Sequence, residues 1–295
     1  MSARRKKEAA LFYLFISPWI LGFLAFTLGP MAASVYFSLT DWDSFTEPVF
    51  VGLDNYVRLL TDDPLFWQVL RNTFYYAGVA VPLGLLIGLW LANLLTKRVR
   101  MRKVFRTLIY LPTLVPLVAT AMIFKMLLAP EGLVNDGLGI LGIDGPSWLL
   151  DSIWSKPALI MLAVWQSGAA TVLLMAAMKG IPREFYEAAE IDGASRVRQF
   201  WSITVPQVTP VIFFNLVTGM IAAFQVFSQV YILTEGGPNN SSQTMVPYLF
   251  NQAFSYYHMG YASAISWLLF LVILGLTLAV FRLSRRWVFY ENEVK

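Results

Sequence analysis

The 295 residues are 57% hydrophobic and 14% charged, with a mean hydropathy of +0.60, whereas soluble domains carry about 25% charge; this composition excludes an ordinary water-soluble globule. The net charge of +4 comes from short basic clusters beside apolar runs, with no groove-lining stripe of cations and aromatics, which argues against nucleic-acid binding. With no cysteine, disulfides, thiolate catalysis and cysteine-based metal sites are ruled out.

A helix needs about 20 apolar residues to cross the hydrocarbon, and lipid supplies no partner for an open backbone group. Six segments meet that requirement, and no β-barrel alternation is present. The first runs from Leu11 to about Leu39 behind Arg4, Arg5, Lys6 and Lys7. Its apolar stretch exceeds the core of a secretory signal, so it reads as an uncleaved anchor. Asp41 to Gln68, rich in Trp, Pro, Gly and acids, is expected to form short interfacial helices and turns. Span two, Val69 to Leu95, carries Gly84 and Gly88 four residues apart, a small-residue pair for close helix packing.

Span three covers Phe105 to Leu128, and Lys125 near its outer end is placed to extend its ammonium to the interface. Pro130 to Lys156 forms a second loop of the same character as the first. Span four, Pro157 to Met178, holds Gln166, Ser167 and Gly168.

The segment Lys179 to Pro206 reads as a helical hairpin at the membrane surface. Pro182 suits a first helical turn, Glu184, Glu187 and Glu190 share a face, and Asp192-Gly193 stops the helix. A second short helix is expected from Ala194 to about Trp201, and Pro206 and Pro210 then open the next span. The small residues Ala188, Ala189, Gly193 and Ala194 make the bend a knob for a partner's groove; a plain interfacial loop fits the pattern equally well.

Span five, Val208 to Leu233, places Asn215, Ala222, Gln225 and Gln229 at helical steps, with Ser228 close by and Phe224, Phe227 and Tyr231 flanking them. Polar groups within a span must point away from lipid. Gln166, Ser167, Asn215, Phe224, Gln225, Ser228 and Gln229 are therefore candidates to line a solute path, the other reading being hydrogen-bonded glue between helices. His258, the single histidine, follows in the last outer loop, and Ala262 to Leu283 is span six.

Lysines and arginines collect in alternate loops: before span one, between spans two and three (Lys97, Arg98, Arg100, Arg102, Lys103, Arg106), between four and five (Lys179, Arg183, Arg196, Arg198), and at the end (Arg282, Arg285, Arg286, Lys295). The opposite loops collect acids. Basic residues near a span are retained inside, so both termini are expected in the cytoplasm of a single all-α, polytopic membrane domain.

No Lys is followed by Ser or Thr, which removes the GxxxxGK[ST] phosphate loop. One His cannot make HExxH, and no GxSxG elbow or other metal or catalytic constellation occurs. Ionisable groups well inside a span are confined to Lys125, so ion-coupled transport lacks its usual mark.

Glu187-Ala188-Ala189, then Asp192-Gly193-Ala194, then Phe200, Ile203, Val205 and Pro206 resemble the EAA motif of inner-membrane permeases of binding-protein-dependent ABC importers, with Val205 where the family often has Leu. Phe50 to Tyr56 and Leu233 to Pro238 are similar to the carbohydrate branch that includes maltose and glycerol-3-phosphate permeases. The resemblance implies a type I ABC importer permease fold in a bacterial or archaeal cytoplasmic membrane. It also implies a second homologous permease subunit, two cytoplasmic ATPase subunits that bind ATP and Mg, and an extracytoplasmic solute-binding protein. The chain itself then needs no cofactor. In that family the hairpin couples the pore to the ATPase, which assigns coupling to Glu187, Ala188, Ala189, Asp192, Gly193 and Ala194. The expected solute is a di- or oligosaccharide, because no cluster of inward basic residues is available for a phosphate. Other functions to weigh are a stand-alone ion-coupled or facilitative sugar carrier and, last, a membrane enzyme or assembly scaffold.

Overall fold

The structure, a computed structural model, describes residues 3–97 and 100–289. The side chains of Arg4, Arg5, Lys6 and Lys7, and all of Arg98 and Lys295, lie outside that description. Helix α1 (Ala3–Phe23) continues through a π turn at Leu24–Leu28 into α2 (Gly29–Ser38), and together they supply the apolar span Leu11–Ser38. The short antiparallel pair β1 (Thr40–Asp41) and β2 (Val49–Phe50) leads to α3 (Asp54–Thr61) and then to α4 (Pro64–Thr96), 33 residues long. The second span thus starts at Pro64, one turn before Val69.

Span three is broken into α5 (Arg102–Leu114) and α6 (Leu117–Leu127), bent by 103°. Pro116 has no N–H to donate and drives Val115 out of the helical region, to φ −77° and ψ 132°. After α7 (Leu133–Ile140), span four is likewise divided, into α8 (Ser155–Trp165) and α9 (Gly168–Gly180), with a 44° bend at Gln166 and Ser167.

The hairpin helix α10 (Arg183–Ile191) is followed by α11 (Arg196–Gln199), a π turn at Phe200–Thr204 and α12 (Val205–Phe224). A separate second hairpin helix is therefore not observed: from Arg196 to Phe224 the chain is one helical rod of 29 residues. The π turn is what lets helix continue into Pro206. Its wide loop, closed by the Val205 N–H on the Phe200 carbonyl, relaxes the turn at Ser202, the carbonyl that the Pro206 ring would strike. The same device precedes Pro30, where the Gly29 N–H reaches back to the Leu24 carbonyl.

The rod ends at Phe224, so the expected fifth span is interrupted as well, Gln225 to Phe227 separating it from α13 (Ser228–Leu233). Helix α14 (Met245–Phe250), a π turn at Asn251–Ser255 and α15 (Met259–Ser284) complete the order. Among the described residues four helices are long and apolar enough to cross a membrane, and up to six spans result when each bent pair counts as one. Large side chains such as Phe15 (81%) and Phe26 (84%) stand exposed along the first span. Continuous apolar surface of that kind suits hydrocarbon and not water.

Two compact units are distinguished, the described residues to Asp63 with Leu249–Leu268, and Pro64–Tyr248 with the residues from Leu269 on. In the first, Asn55 is the staple: its buried amide donates to the Ser38 carbonyl at 3.0 Å and the Thr40 carbonyl at 2.8 Å, while the Tyr56 hydroxyl donates to Ser38 Oγ at 2.8 Å. The Phe50 to Tyr56 stretch thus ties α3 to the end of α2. Asp43 caps its own turn, and hydrogen bonds from the Thr46 amide, the Thr46 hydroxyl and the Phe45 amide hold its carboxyl below the ordinary range. His258 is exposed, with Nδ1 3.1 Å from Gln252 Oε1.

In the second unit α4 packs against α8, α9 and α12. Its core joins Leu89, Ala92 and Leu95 of α4 to Leu174, Met175 and Met178 of α9 and Val208 of α12. Gly84 and Gly88 lie at this seam: a methyl added at Gly84 would touch Ser167 Cβ at 3.5 Å, and one at Gly88 would press on Thr171 Oγ1 at 3.2 Å. Both are packing glycines. Gly168 is tighter still, since an added Cβ would overlap the Ile109 carbonyl of α5. Gly168→Ala is expected to lower the thermal midpoint of the detergent-solubilised protein, by an overpacking penalty of about 1–3 kcal/mol. Gly180→Ala, whose methyl meets nothing within 4 Å, serves as the unaffected comparison.

Candidate functional site

Two places bring the sequence-derived candidates together. The first is a cavity of about 620 Å³ in the second unit, lined by Gln166, Ser167, Asn215, Gln225, Ser228 and Gln229 together with Tyr76 and Phe227. The helix breaks build it. Gln166 and Ser167 are the residues between α8 and α9, Gln225 to Phe227 separate α12 from α13, and Leu117 starts α6 just after the Pro116 bend. Interrupted backbone at membrane depth is tolerated where it is buried in protein or lines a watery cavity. Here the breaks deliver side-chain amides to one space.

Gln229, 9% exposed, accepts from the Tyr76 hydroxyl at 2.6 Å and donates from Nε2 to Gln166 Oε1 at 3.2 Å. This chain of bonds links α4, α13 and the α8–α9 break. Asn215 donates to its own helix at the Val211 carbonyl, 2.8 Å away. Gln225 is exposed, in a position to meet a solute. Among the described residues no Asp, Glu, Lys, Arg or His lines the cavity.

Three expectations need correction. The polar residues of span five do not form a stripe on one continuous helix, because α12 stops at Phe224; they reach the same cavity from two helices and the bend between them. Phe224 does not line the cavity: it is 3% exposed and packs edge-to-face on Phe74, ring centroids 5.0 Å apart. Tyr231 stacks on Phe227 at 5.1 Å, and of the two only Phe227 faces the cavity. Tyr76 was missed from sequence, since nothing there sets it apart from its neighbours Asn72, Thr73 and Tyr75; its burial against Gln229 appears only on folding.

The Leu233 to Pro238 stretch begins a loop with Glu235, Asn239 and Asn240 at positive φ, and Gly236 at φ +84°, where a Cβ would overlap the Gln243 side chain. Asn72 on α4 clamps this loop, its amide donating to the Asn240 carbonyl at 2.9 Å and the Gln243 carbonyl at 3.0 Å, and accepting from Lys156 at 3.3 Å. Lys125, in the last turn of α6, is half exposed and 3.9 Å from Glu235, as a cation extended to an interface would be.

The second place is the hairpin. Helix α10 closes with a Schellman cap: the Gly193 N–H bonds the Glu190 carbonyl at 3.0 Å, the Ala194 N–H bonds the Ala189 carbonyl at 2.9 Å, and Gly193 takes φ +72°. The glycine is required by that left-handed turn. Ser195 then caps the following helix, accepting from the Arg198 N–H at 3.4 Å. Glu187, Ala188, Asp192 and Gly193 are exposed, Ala189 and Ala194 half-buried, and Ile191 projects with 87% of its surface free. The hairpin is held to the rod by the Tyr186 and Thr204 hydroxyls, 2.8 Å apart, and by the buried Gln199 amide on the Ala194 carbonyl at 3.1 Å.

Comparison with known proteins gives the same picture. Residues 84–288 match the model of the binding-protein-dependent transport system inner membrane component. A probable ABC transporter permease, YesP of Bacillus subtilis, is 41% identical over 98% of this chain and 94% of its own. The trehalose/maltose transport system permease MalF of Thermococcus litoralis is 36% identical over 96% of this chain and 97% of its own. Among solved structures, a chain of a bacterial alginate ABC transporter, crystallised with an alginate pentasaccharide-bound periplasmic protein, superposes with a TM-score of 0.84 at 25% identity, covering 96% of each chain. Helical spans interrupted around a polar cavity, a capped hairpin beside them and a family match over most of the length agree: the chain belongs to the binding-protein-dependent transport system inner membrane components, as a multi-pass permease subunit of an ABC transporter.

Proposed function

We propose that this permease forms half of the translocation pore of an ATP-driven importer for a neutral di- or oligosaccharide, and that the hairpin at Arg183 to Ala194 couples the pore to a separate ATPase. The observation that carries the reading is the cavity, whose volume lies within the range of ligand pockets and whose polar lining is amide and hydroxyl without a charged side chain. Amides and hydroxyls exchange hydrogen bonds with sugar hydroxyls, and Phe227 offers an aromatic face to the apolar side of a ring. The relatives named for lactose in Rhizobium radiobacter and for trehalose/maltose in Thermococcus litoralis support a sugar.

The assembly proposed is a second homologous permease, two ATPase subunits that bind ATP and Mg, and an extracytoplasmic binding protein. The periplasmic protein in the alginate transporter structure supports the last of these. The hairpin and both termini are assigned to the cytoplasm, where Arg100, Arg102, Lys103, Arg106, Lys179, Arg183, Arg196 and Arg198 satisfy the bias of basic residues toward that side. The coupling role rests on a rigidly capped knob with exposed Glu187, Asp192 and Ile191, joined through Tyr186 and Thr204 to the rod that carries Asn215.

Gentle detergent purification of the tagged chain from its own host is expected to recover a second permease and a P-loop ATPase, with ATP hydrolysis stimulated by sugar-loaded binding protein. Purified chain that moves sugar into liposomes without ATP would instead establish a stand-alone carrier.

A further inference from the structure

A second cavity, of about 590 Å³, lies in the groove between α5 and α9 and borders the polar one at Ala169, which lines both. Its wall is Thr107, Tyr110, Leu111, Leu114, Val172 and Leu173, and Arg106 stands at one end. Leu111 is 49% exposed, Leu114 63% and Leu173 46%, so the groove opens sideways. From Arg106 to Leu114 the lining follows two turns of helix, a rise of roughly 12 Å, and it ends where α5 breaks before Pro116.

Arg106 is the charged residue of the lining, and Arg102, one helical turn before it, and Lys179 lie close by. Arg102 and Arg106 are near enough for their positive charges to act on the Lys179 ammonium at the end of α9. Among the described residues no ion pair joins an acid to Arg102, Arg106 or Lys179. Three converging cations without an acid repel one another, and an anion among them relieves that repulsion. Guanidinium groups are well matched to phosphate, which they can bind in bidentate fashion. The occupant must therefore carry a phosphate at one end and a long apolar body at the other.

We propose that the α5–α9 groove is a binding site for an anionic phospholipid of the leaflet at the hairpin end, its phosphate held by Arg102, Arg106 and Lys179 and an acyl chain lying along Tyr110, Leu111, Leu114 and Leu173. Basic pockets between spanning helices are suited to such headgroups. The site is independent of which solute the polar cavity takes. It also sits beside the hairpin, since Lys179 precedes Arg183 by four residues, so an anionic lipid there would steady the base of that element.

The test is retention of dioleoyl phosphatidylglycerol against dioleoyl phosphatidylcholine by the purified full-length chain, read by native mass spectrometry. Phosphatidylglycerol is expected to be retained preferentially, with Arg106→Gln weakening retention about fivefold and Arg102→Gln/Arg106→Gln further. Leu111→Trp, which fills the groove and keeps every charge, should weaken it too, whereas Lys103→Gln on the same helix should not. Equal retention of the two lipids overturns the proposal, as does a loss in Lys103→Gln equal to that in Arg106→Gln, which would mark diffuse charge. Competition by inorganic phosphate as effective as by phosphatidylglycerol would make the site one for a free anion. Exclusion of phosphatidylglycerol from the groove whenever a second permease co-purifies would assign the face to that subunit.

Discussion

Replacing Glu187 with lysine, or Gly193 with tryptophan, is expected to reduce solute uptake by on the order of a hundredfold, the effect of reversing or blocking one side of a tightly packed charged contact, while the chain still folds and reaches the membrane. The Glu187 side chain is exposed and makes no hydrogen bond or ion pair among the described residues, so its reversal removes nothing that holds this chain together. Gly193 is more informative. Its φ of +72° disfavours a side chain, yet a Cβ there meets nothing within 4 Å. The penalty inside the chain is then only the backbone strain of about 1–2 kcal/mol. Gly193→Asn, which tolerates the left-handed region, is expected to fold as the natural chain does, and the further loss on going to tryptophan measures what bulk does in a partner's cleft. ATP hydrolysis and uptake assayed on the co-purified complex separate the outcomes: hydrolysis without uptake means uncoupling, and normal uptake by both variants means the hairpin is not the coupling element.

The second large effect is expected in the polar cavity, where two glutamines should behave differently. Gln229→Leu deprives the Tyr76 hydroxyl and Gln166 of their partner, and leaving a buried polar group unsatisfied costs about 1–3 kcal/mol. Its uptake and its thermal stability should fall together. Gln225 is exposed at the α12–α13 break, so Gln225→Ala is expected to leave the thermal midpoint unchanged and lower uptake about tenfold or less, the value of one hydrogen bond to an uncharged group. Uptake and stability measured on both variants decide between solute contact and helix glue. If Gln225→Ala transports normally while Gln229→Leu loses only stability, the amides hold helices together and the solute passes elsewhere.

Family membership makes the chain a transport component and not an enzyme, in keeping with the missing phosphate loop and catalytic motifs. It also gives physical content to the stretches that carried the resemblance. The Ala189, Gly193 and Ala194 spacing is the spacing of a Schellman cap, with Ala189 supplying the carbonyl, Gly193 the left-handed turn and Ala194 the N–H. The Phe50 to Tyr56 stretch provides Asn55, which staples a loop, and Gly236 fits a space that a larger residue would fill. Each motif is a piece of backbone geometry that few residues satisfy.

The all-helical, multi-pass character, the hairpin's first helix and stop, the packing glycines Gly84 and Gly88, and most of the cavity's polar residues were legible in the sequence. Each depends on a local rule: the thickness of hydrocarbon, the conformational freedom of one glycine, the avoidance of lipid by amides. What only the tertiary structure decided is where helices stop inside the membrane. Pro116 marks one break in the sequence, but neither Gln166-Ser167 nor Gln225 to Phe227 contains a proline, and an apolar run reads as one helix as long as its composition persists. A helix can be interrupted at that depth only where the break is buried in protein or lines a watery cavity, and residues far away in sequence form that surrounding, such as Tyr76, which donates to the Gln229 side chain, and Ile109, whose carbonyl packs close to Gly168. Local patterns therefore determined which side chains must leave the lipid, and the packing of distant helices determined that they leave it toward one cavity.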